Sequence, residues 1–230
     1  MLITAQIASL KCRFPFLDWS IKMKKTMQVL ALIVLGIFSL SANAQISRFV
    51  EGTHYTKLEN PVRTADETKI EVIELFWYGC PGCYTFEPLM SHWESSQPTD
   101  VDHKRLPAVW DPLTTLHARA FYAAEAIGAM DAIHHPFFDE FHLKRNRLHN
   151  EVAIRDFFES CGISREDFER TFNSFSVRTK VTQAANKVRD YGVAQTPTMY
   201  VNGKYVVTTS AGGYQQMLDV VDYLVSLERG

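Results

Sequence analysis

The sequence predicts an α/β fold in which a block of helices is inserted into a domain of strands and helices. A β-rich apolar run at residues 69–78 leads directly into a Cys-x-x-Cys pair. Five helical patterns then follow one another between residues 111 and 191, separated by turn and capping residues. Two β-rich runs flank Asn202-Gly203, which is the strongest short signal for a hairpin, and a last amphipathic helix follows them.

The first 44 residues carry the pattern of a cleaved export signal. Three lysines within residues 22–25 precede an apolar segment at residues 29–40 and the small residues Ala42-Asn43-Ala44. Such signals usually begin at the initiator, so we expect the chain to start at Met23, after an upstream extension, and to be cleaved after Ala44. An uncleaved membrane anchor is the alternative, but the apolar segment is shorter than the about 20 residues that a membrane span needs.

Removal of residues 1–44 leaves 186 residues with 19 basic and 25 acidic side chains, a formal charge of −6. We assign residues 45–110 to the first part of the main domain, residues 111–191 to the helical insertion and residues 192–230 to the second part. A chain of this charge is not expected to bind nucleic acid. Export places it in an oxidising compartment, where an exposed Cys-x-x-Cys pair cycles between dithiol and disulfide.

Cys80 and Cys83 are the candidate reactive pair. The apolar run ends at Gly79, and Pro81 suits the first position of a helix, where the missing N–H of proline costs nothing. Cys80 is therefore expected at a helix N-terminus, where free N–H groups and the helix dipole favour a thiolate. Cys83 lies about one turn further on and is close enough to form a disulfide. We predict that Cys80 is the reactive thiol and Cys83 the resolving one.

A zinc site and a purely structural disulfide are the alternatives for this motif. A structural zinc site needs four ligands, and the chain has no second Cys-x-x-Cys pair and only one adjacent histidine pair, His134-His135. We therefore expect no metal. A short Cys-x-x-Cys loop at a strand–helix junction is the redox arrangement rather than a structural bridge. Cys161 has no nearby partner in sequence, and we expect it to be an inert buried thiol.

Two further residues have both a structural and a functional interpretation. Glu74 interrupts the apolar run, either as a carboxylate that reaches water at a strand edge or as a partly buried carboxylate beneath the cysteines. In the second case its pKa would be raised and it would serve proton transfer during thiol exchange. Pro197 opens a strand, and the simplest interpretation is a trans proline at a strand start.

The order of elements gives the fold class. The strand at 69–78, the helix after Cys83 and a second strand at 100–109 form a strand–helix–strand unit with the cysteine pair at its first crossover. This unit is the front half of a thioredoxin-like fold. The helices of 111–191 are additional to that fold, and their phenylalanines predict a separate aromatic core. The sequence thus predicts an α/β protein of thioredoxin-like fold with an inserted all-helical subdomain.

The chain resembles the DsbA family of periplasmic thiol:disulfide interchange proteins. The resemblance rests on the stretch FWYGCPGC at 76–83, the helical insertion, Thr196-Pro197-Thr198, and the terminal hairpin and helix. It implies that Pro197 is cis and packs against the disulfide, and that Glu74 is buried beneath the active site. It also implies a second buried charge near His103 or Lys104. Family members commonly have a histidine where this chain has Gly82, so the oxidising strength cannot be carried over.

The resemblance implies the oxidation of substrate dithiols through a mixed disulfide at Cys80. Pro197, if cis, would present its backbone for an unfolded peptide to pair with as an added strand. We expect the residues around the two motifs to form the substrate surface: Trp77, Tyr78, Pro81, Gly82 and Thr196.

The expected partners are exported proteins that are still folding, and a DsbB-like membrane quinone reductase that the resemblance implies. The chain shows no dimerisation segment between Gln45 and the predicted sheet, and we expect a monomer. Two other functions use the same motif. One is a disulfide isomerase or reductase, and the other is a non-enzymatic binding module with a structural disulfide.

Overall fold

The computed structural model describes residues 48–192 and 194–230 of the chain. The predicted signal peptide, its start at Met23 and its cleavage after Ala44 lie outside the described residues. Within the described ranges, no helix has the length and apolar character that crossing a membrane requires. Residues Phe49–Gly230 form one compact unit.

A mixed sheet lies at the centre of this unit. Its strands in the described part of the chain are β1 (Thr56–Lys57), β2 (Ile70–Phe76), β3 (Val101–Pro107), β4 (Thr198–Val201) and β5 (Tyr205–Thr208), in the order β1-β5-β4-β2-β3. Strand β2 pairs in parallel with β3 and antiparallel with β4, and all of its residues are buried. Such double burial explains why this strand is a nearly continuous apolar run. The strands predicted at 69–78 and 100–109 and the hairpin at Asn202-Gly203 are confirmed.

The described residues form seven α-helices. They are α1 (Pro81–Ser95), α2 (Pro112–Ile127), α3 (Met130–His142), α4 (Glu151–Ser160), α5 (Arg165–Phe172), α6 (Phe175–Tyr191) and α7 (Tyr214–Arg229). A short 3-10 turn, Thr209–Ala211, precedes the last of them. Helices α2 to α6 follow one another between β3 and β4, and α7 follows the hairpin. The chain therefore has the thioredoxin-like fold with a helical insertion that the sequence predicts.

Local capping explains where several of these helices begin and end. Asp111 caps α2 by accepting hydrogen bonds from the backbone N–H groups of Leu113 and Thr114. Such a cap satisfies donors that the helix itself leaves free. Helix α6 ends at Gly192, which adopts a left-handed conformation with φ of 67°, as glycine commonly does at this position. These signals can be read from the sequence alone, and the predicted helices follow them closely.

The core has three parts. One lies between the sheet, α1 and α7, and includes Phe86 and Met199. A second lies between the opposite sheet face and α6, and includes Ile73 and Tyr200. The third is the aromatic core of the helical block, as predicted from its phenylalanines: Phe121, Phe137, Phe138, Phe157, Phe158, Phe168 and Phe172. Phe76, Tyr78 and Cys83 also belong to this third part, so the helical block packs directly against the candidate reactive site.

Candidate active site

Cys80 caps the first helix with its own sulfur. Pro81 is the first residue of α1, as predicted, and the backbone of Cys80 is still extended, with φ of −85° and ψ of 117°. Cys80 Sγ accepts a hydrogen bond from the backbone N–H of Cys83 at 3.4 Å, and it lies 3.3 Å from the carbonyl oxygen of Thr196. Both cysteines are present as free thiols. The strand–turn–helix sequence therefore brings the predicted reactive sulfur to the helix N-terminus.

The two thiols differ in burial and in acidity. Cys80 is half-buried, whereas Cys83 is fully buried in the aromatic core. A hydrogen bond from the Cys83 thiol lowers the pKa of Cys80 from 9.0 to about 5, although burial opposes this shift. The backbone N–H groups of Cys83 and Gly82 add to the lowering. Burial and the neighbouring Cys80 raise the pKa of Cys83 well above its usual value. At neutral pH the accessible sulfur is thus the thiolate and the buried sulfur is the thiol.

We expect selective alkylation of Cys80 in the reduced protein at mildly acid pH. Only the thiolate reacts, so the rate should rise with pH around a midpoint near 5, which is the pKa of Cys80. Mass spectrometry of the alkylated peptides after a short pulse gives the site and the rate. Cys161 serves as an internal control, because burial raises the pKa of its thiol. Preferential labelling of Cys83 would contradict the assignment of the two sulfurs.

The low pKa of Cys80 also makes the stability of the reduced protein depend on pH. The folded-state value of about 5 lies below the ordinary 9.0, so between these values the unfolded chain binds one more proton at this site than the folded protein. The stabilisation is complete above the unfolded pKa and is lost as pH falls through the folded one. The free energy of unfolding relative to Cys80→Ser should therefore rise from pH 5 to pH 9, as urea unfolding under reducing conditions can measure. A flat difference would contradict the stabilised thiolate.

The loop before β4 lies against the cysteines. The Thr196–Pro197 peptide bond is cis, as the family resemblance implies, so the interpretation of Pro197 as a trans strand-start proline is wrong. Pro197 is buried, Thr196 and Gly82 are half-buried, and Pro81 is exposed. A Cβ atom on Gly82 would lie 3.0 Å from the Tyr214 hydroxyl and 3.1 Å from Pro197 Cδ. The glycine thus permits a close approach between the cysteine loop, the proline loop and the start of α7.

We expect Gly82→His to lower the pKa of Cys80 and to raise the reduction potential together. A favourable charge near the sulfur is worth about 1 kcal/mol, and ~30 mV corresponds to ~1.4 kcal/mol for a two-electron couple, so the rise should be a few tens of millivolts. Because the new side chain meets the Tyr214 hydroxyl at 3.0 Å, part of this gain should be lost to displacement. The same substitution in a Tyr214→Phe background should give the larger rise. Equilibration with glutathione measures both variants, and a lower potential would contradict the electrostatic argument.

Trp77 and Tyr78 lie in different environments. Trp77 is half-buried, and its indole N–H donates to His117 Nδ1 at 3.1 Å. Tyr78 is only 1% exposed. The prediction that Tyr78 forms part of an exposed substrate surface is therefore wrong. Its side chain points into the aromatic core and stacks on Phe137, with ring centroids 4.2 Å apart.

Three histidines of the helical block hold these two residues. His117 of α2 accepts from the Trp77 indole and donates from Nε2 to the carbonyl oxygen of Arg147 at 3.1 Å. Burial lowers its pKa to about 4, so it is neutral. His134 of α3 bonds the Tyr78 hydroxyl at 2.8 Å, and His142 donates to the Tyr78 backbone carbonyl, also at 2.8 Å. The residues that precede the reactive cysteine are thus held in place by the insertion.

Glu74 is buried beneath the site. It is 1% exposed, which confirms the buried interpretation over a carboxylate that reaches water. Burial, the negative charge of Glu87 and smaller contributions from Glu94 and Cys80 raise its pKa to about 8, against the attraction of Arg105. Neither of its carboxylate oxygens has a hydrogen-bond partner among the described residues. The group is therefore mostly protonated at neutral pH.

Arg105, whose side chain is 13% exposed, is the second charge and is largely buried. It pairs with Glu74 across β2 and β3, and its Nε lies 3.6 Å from Glu74 Oε2. It also donates to Glu87 Oε1 at 3.1 Å and to Glu94 Oε2 at 2.7 Å. We call these four residues the carboxylate cluster.

The expectation that the second charge lies near His103 or Lys104 is wrong by one or two residues. Lys104 points to the other sheet face and binds Glu71 at 2.8 Å, because side chains alternate along a strand. His103 lies beside Glu94, with 3.0 Å between Nδ1 and Oε1, rather than beside Glu74.

Sequence reasoning missed Glu87 and the supporting histidines, and it was only partly right about Cys161. Glu87 lies four residues after Cys83 in α1, so helical spacing places both on one face, and that signal was available. The contacts of His117, His134 and His142 join distant parts of the chain and leave no local pattern. Cys161 is half-buried rather than buried, and its pKa is raised by burial. Within residues 48–192 and 194–230, no group of three histidine, cysteine or carboxylate side chains is arranged to hold a metal ion.

A thioredoxin-like sheet, an N-capping cysteine of lowered pKa and an adjacent cis-proline define a protein-disulfide oxidoreductase whose redox group is its own Cys80–Cys83 pair. Residues 102–224 match the family model described as a DSBA-like thioredoxin domain. The thiol:disulfide interchange protein DsbA of Pseudomonas aeruginosa is 36% identical over 199 residues, which cover 86% of this chain and 93% of the relative. The DsbA of Pseudomonas syringae pv. tomato is 38% identical over 200 residues, with the same coverage of both chains.

Solved structures of DsbA proteins are also similar to this chain. The crystal structure of Pseudomonas aeruginosa DsbA aligns with a TM-score of 0.76 and 38% identity, over 79% of this chain and 95% of that one. The oxidoreductase DsbA from Xylella fastidiosa aligns with a TM-score of 0.73 and 31% identity, over 79% and 98% of the two chains. The chain belongs to the DsbA family of thiol:disulfide interchange proteins.

Proposed function

We propose that this protein is an exported dithiol oxidase that donates its Cys80–Cys83 disulfide to newly exported proteins in the periplasm. The observation that carries the proposal is the lowered pKa of Cys80, about 5, at the accessible end of α1. A stabilised thiolate favours the reduced enzyme and makes Cys80 a good leaving group, so the disulfide is a strong oxidant, a behaviour for which DsbA proteins are themselves a standard example.

The reaction has two exchange steps. A substrate thiolate attacks Cys80 Sγ, a mixed disulfide forms, and the electron pair of the broken bond goes to Cys83 Sγ, which takes up a proton. A second substrate thiolate then attacks the substrate sulfur of the mixed disulfide and displaces the Cys80 thiolate. The substrate loses two electrons and two protons and gains a disulfide. The enzyme gains both electrons and ends as a Cys80 thiolate and a Cys83 thiol, and the second proton goes to solvent. Burial of Cys83 leaves Cys80 as the sulfur that a protein substrate can reach.

We propose that the substrate surface includes Trp77, Pro81, Gly82 and Thr196. Each of these residues is at least partly exposed around Cys80. Pro197 presents adjoining backbone to an extended peptide, which would pair with it as an added strand. Glu74 supplies the proton for Cys83, since it is buried and mostly protonated at neutral pH.

We further propose a domain division at residues 45–110, 111–191 and 192–230, an export signal cleaved after Ala44, and a monomeric protein. Regeneration of the disulfide requires an electron acceptor, for which the family suggests a DsbB-like quinone-reducing membrane protein. The acidic residues of 45–230 give no reason to expect nucleic acid as a partner.

The reduction potential of the Cys80–Cys83 pair is the test that separates the candidate functions. Equilibration with glutathione should give a reduction potential above about −200 mV, which is less negative than the potentials of glutaredoxins. A reduction potential near that of thioredoxin, about −270 mV, would indicate a reductase. The purified protein should also oxidise a reduced unfolded substrate and be consumed one disulfide at a time. Restoration of a scrambled substrate without net oxidation would favour an isomerase.

A further inference from the structure

His134 lies between Tyr78, which precedes the reactive cysteine by two residues, and the carboxylate cluster. It is buried in α3, with Nδ1 2.8 Å from the Tyr78 hydroxyl and Nε2 3.4 Å from Glu87 Oε2. Nε2 makes no hydrogen bond to a described residue, so its 3.4 Å contact with Glu87 Oε2 is an electrostatic one. The imidazole therefore lies between a phenol that precedes Cys80 and a carboxylate that contacts Arg105.

These contacts select one protonation state of the ring. Burial lowers the pKa of His134, which keeps the imidazole neutral. A neutral imidazole has one donor nitrogen and one acceptor nitrogen. Since an ionised Glu87 only accepts, Nε2 carries the hydrogen and Nδ1 accepts from the Tyr78 hydroxyl. His134 thus presents an N–H group to Glu87.

The two buried carboxylates next to Arg105 receive unequal numbers of hydrogen bonds. Glu87 receives hydrogen bonds from Ser91 at 2.8 Å and from Arg105 at 3.1 Å, and His134 Nε2 lies 3.4 Å from its other oxygen. Glu74 receives no hydrogen bond among the described residues, and its contact with Arg105 is 3.6 Å. Burial raises the pKa of Glu87, but the contact with His134 and the charge of Arg105 outweigh it and the pKa is lowered.

We propose that His134 is a positioning residue that decides which of two buried carboxylates, Glu74 or Glu87, carries the exchangeable proton. With His134 in place, Glu87 is the anion and Glu74 is the acid. The negative charge of Glu87 then helps to keep the proton on Glu74, the carboxylate whose charge acts on both cysteines. When a substrate thiolate breaks the disulfide at Cys80, the electron pair goes to Cys83 Sγ and the Glu74 proton follows it, which leaves Glu74 ionised until solvent returns a proton.

Ionisable residues from three parts of the described chain face His134. Helix α1 contributes Glu87 directly and Glu94 at longer range, β3 contributes Arg105, and the reactive loop contributes Tyr78. Helix α2 contributes an aromatic contact, with Phe121 at 6.0 Å between ring centroids.

The test is the titration of the glutamate side chains in the reduced, full-length protein. Carbon-13 NMR follows the δ-carboxyl signals, which Glu74→Gln and Glu87→Gln assign. In the unsubstituted protein, Glu74 should titrate near pH 8. In His134→Leu, the Glu74 midpoint should move to lower pH and the Glu87 midpoint to higher pH, and a midpoint that moves by about one pH unit changes the protonation ratio about tenfold. An unchanged Glu74 midpoint in folded His134→Leu would overturn the proposal.

Two variants separate this role from general damage. His134→Gln keeps an N–H donor within reach of Glu87, so the Glu74 midpoint should stay close to its original value. Tyr78→Phe removes the hydrogen bond at Nδ1 of His134 but keeps the contact of Nε2 with Glu87, so it should also leave the midpoint in place. A shift in Tyr78→Phe as large as that in His134→Leu would contradict the proposal.

A second measurement covers the case in which His134→Leu does not fold. Glu87→Gln removes the same negative charge directly and should lower the Glu74 midpoint, and no shift in that variant would equally overturn the proposal. The rate of the exchange step at Cys83 should change its pH dependence in the same direction as the Glu74 midpoint, whereas a purely structural role of His134 would leave that profile unmoved.

Discussion

Replacement of Cys80 by serine should abolish disulfide exchange. Replacement of Cys83 by serine should stop the exchange at the mixed disulfide on Cys80. Cys80→Ser removes the only sulfur of the pair that a protein substrate reaches. Cys83→Ser keeps the Cys80 thiolate but cannot form the enzyme disulfide. When this thiolate attacks the disulfide of oxidised glutathione or of an oxidised substrate, one thiol leaves and the mixed disulfide should accumulate, because no Cys83 thiol displaces it. The two variants differ from the original by one atom each and act as mutual controls.

Electrophoresis under non-reducing conditions after acid quenching distinguishes the outcomes. The expected result for Cys83→Ser is a species that contains one substrate molecule and that collapses on reduction. Cys80→Ser should form no such species and should not oxidise a reduced unfolded substrate. If Cys80→Ser kept the activity of the unsubstituted protein, the motif would be a structural disulfide in a binding module. If a mixed disulfide formed only in Cys80→Ser, Cys83 and not Cys80 would be the reactive cysteine.

The replacement of Arg105 by leucine should lower the free energy of unfolding by about 3–5 kcal/mol, the usual cost of removing one partner from a buried ion pair. Arg105 is 13% exposed and contacts three carboxylates, of which Glu87 is 5% exposed. Without the guanidinium, the negative charge of Glu87 has to be neutralised by a proton or remain unpaired in the interior. Urea unfolding of the oxidised protein at neutral pH gives the measurement.

Arg63 provides the matched control. It is 88% exposed and lies 3.6 Å from Glu67, four residues later in a segment without helix or strand, and exposed pairs of this kind contribute about 0–1 kcal/mol. Arg63→Leu should therefore change the free energy of unfolding little. Arg105→Lys should fall between the two, because an ammonium keeps the charge but loses the fork that reaches Glu87 and Glu94 together. A loss in Arg105→Leu as small as that in Arg63→Leu would show that the cluster does not depend on its cation.

The sequence was most informative where a single local rule decides the structure. Pro81 and the apolar strand before it place Cys80 at a helix start, and this placement needs no knowledge of the remaining chain. Glu74 could be assigned to the interior only with the family resemblance, since a carboxylate in a strand has two acceptable environments. Its burial in the structure agrees with that resemblance.

The sequence was least informative where two strands or two subdomains meet. The alternation of β3 places His103 and Arg105 on one face and Lys104 on the other, but the face that meets Glu74 depends on the register with β2. A shift by one residue would have exchanged Arg105 for Lys104. Tyr78 was misplaced for a related reason. It follows the end of β2, so its direction is set by packing against Phe137 of the insertion and not by strand alternation.

The three histidine contacts limit how this protein can be reduced to a smaller one. Insertions into a fold are often treated as modules that engineering can delete, which here would join β3 to β4 and would also remove α6 from the sheet face that it covers. In this chain such a deletion would remove the partners of the Trp77 indole, the Tyr78 hydroxyl and the Tyr78 carbonyl at once. The remaining fragment would retain both cysteines, but Trp77 and Tyr78, which precede them, would lose their hydrogen-bond partners in the helical insertion. Miniaturised redox scaffolds built from this sequence should therefore keep α2 and α3, the helices that carry His117, His134 and His142.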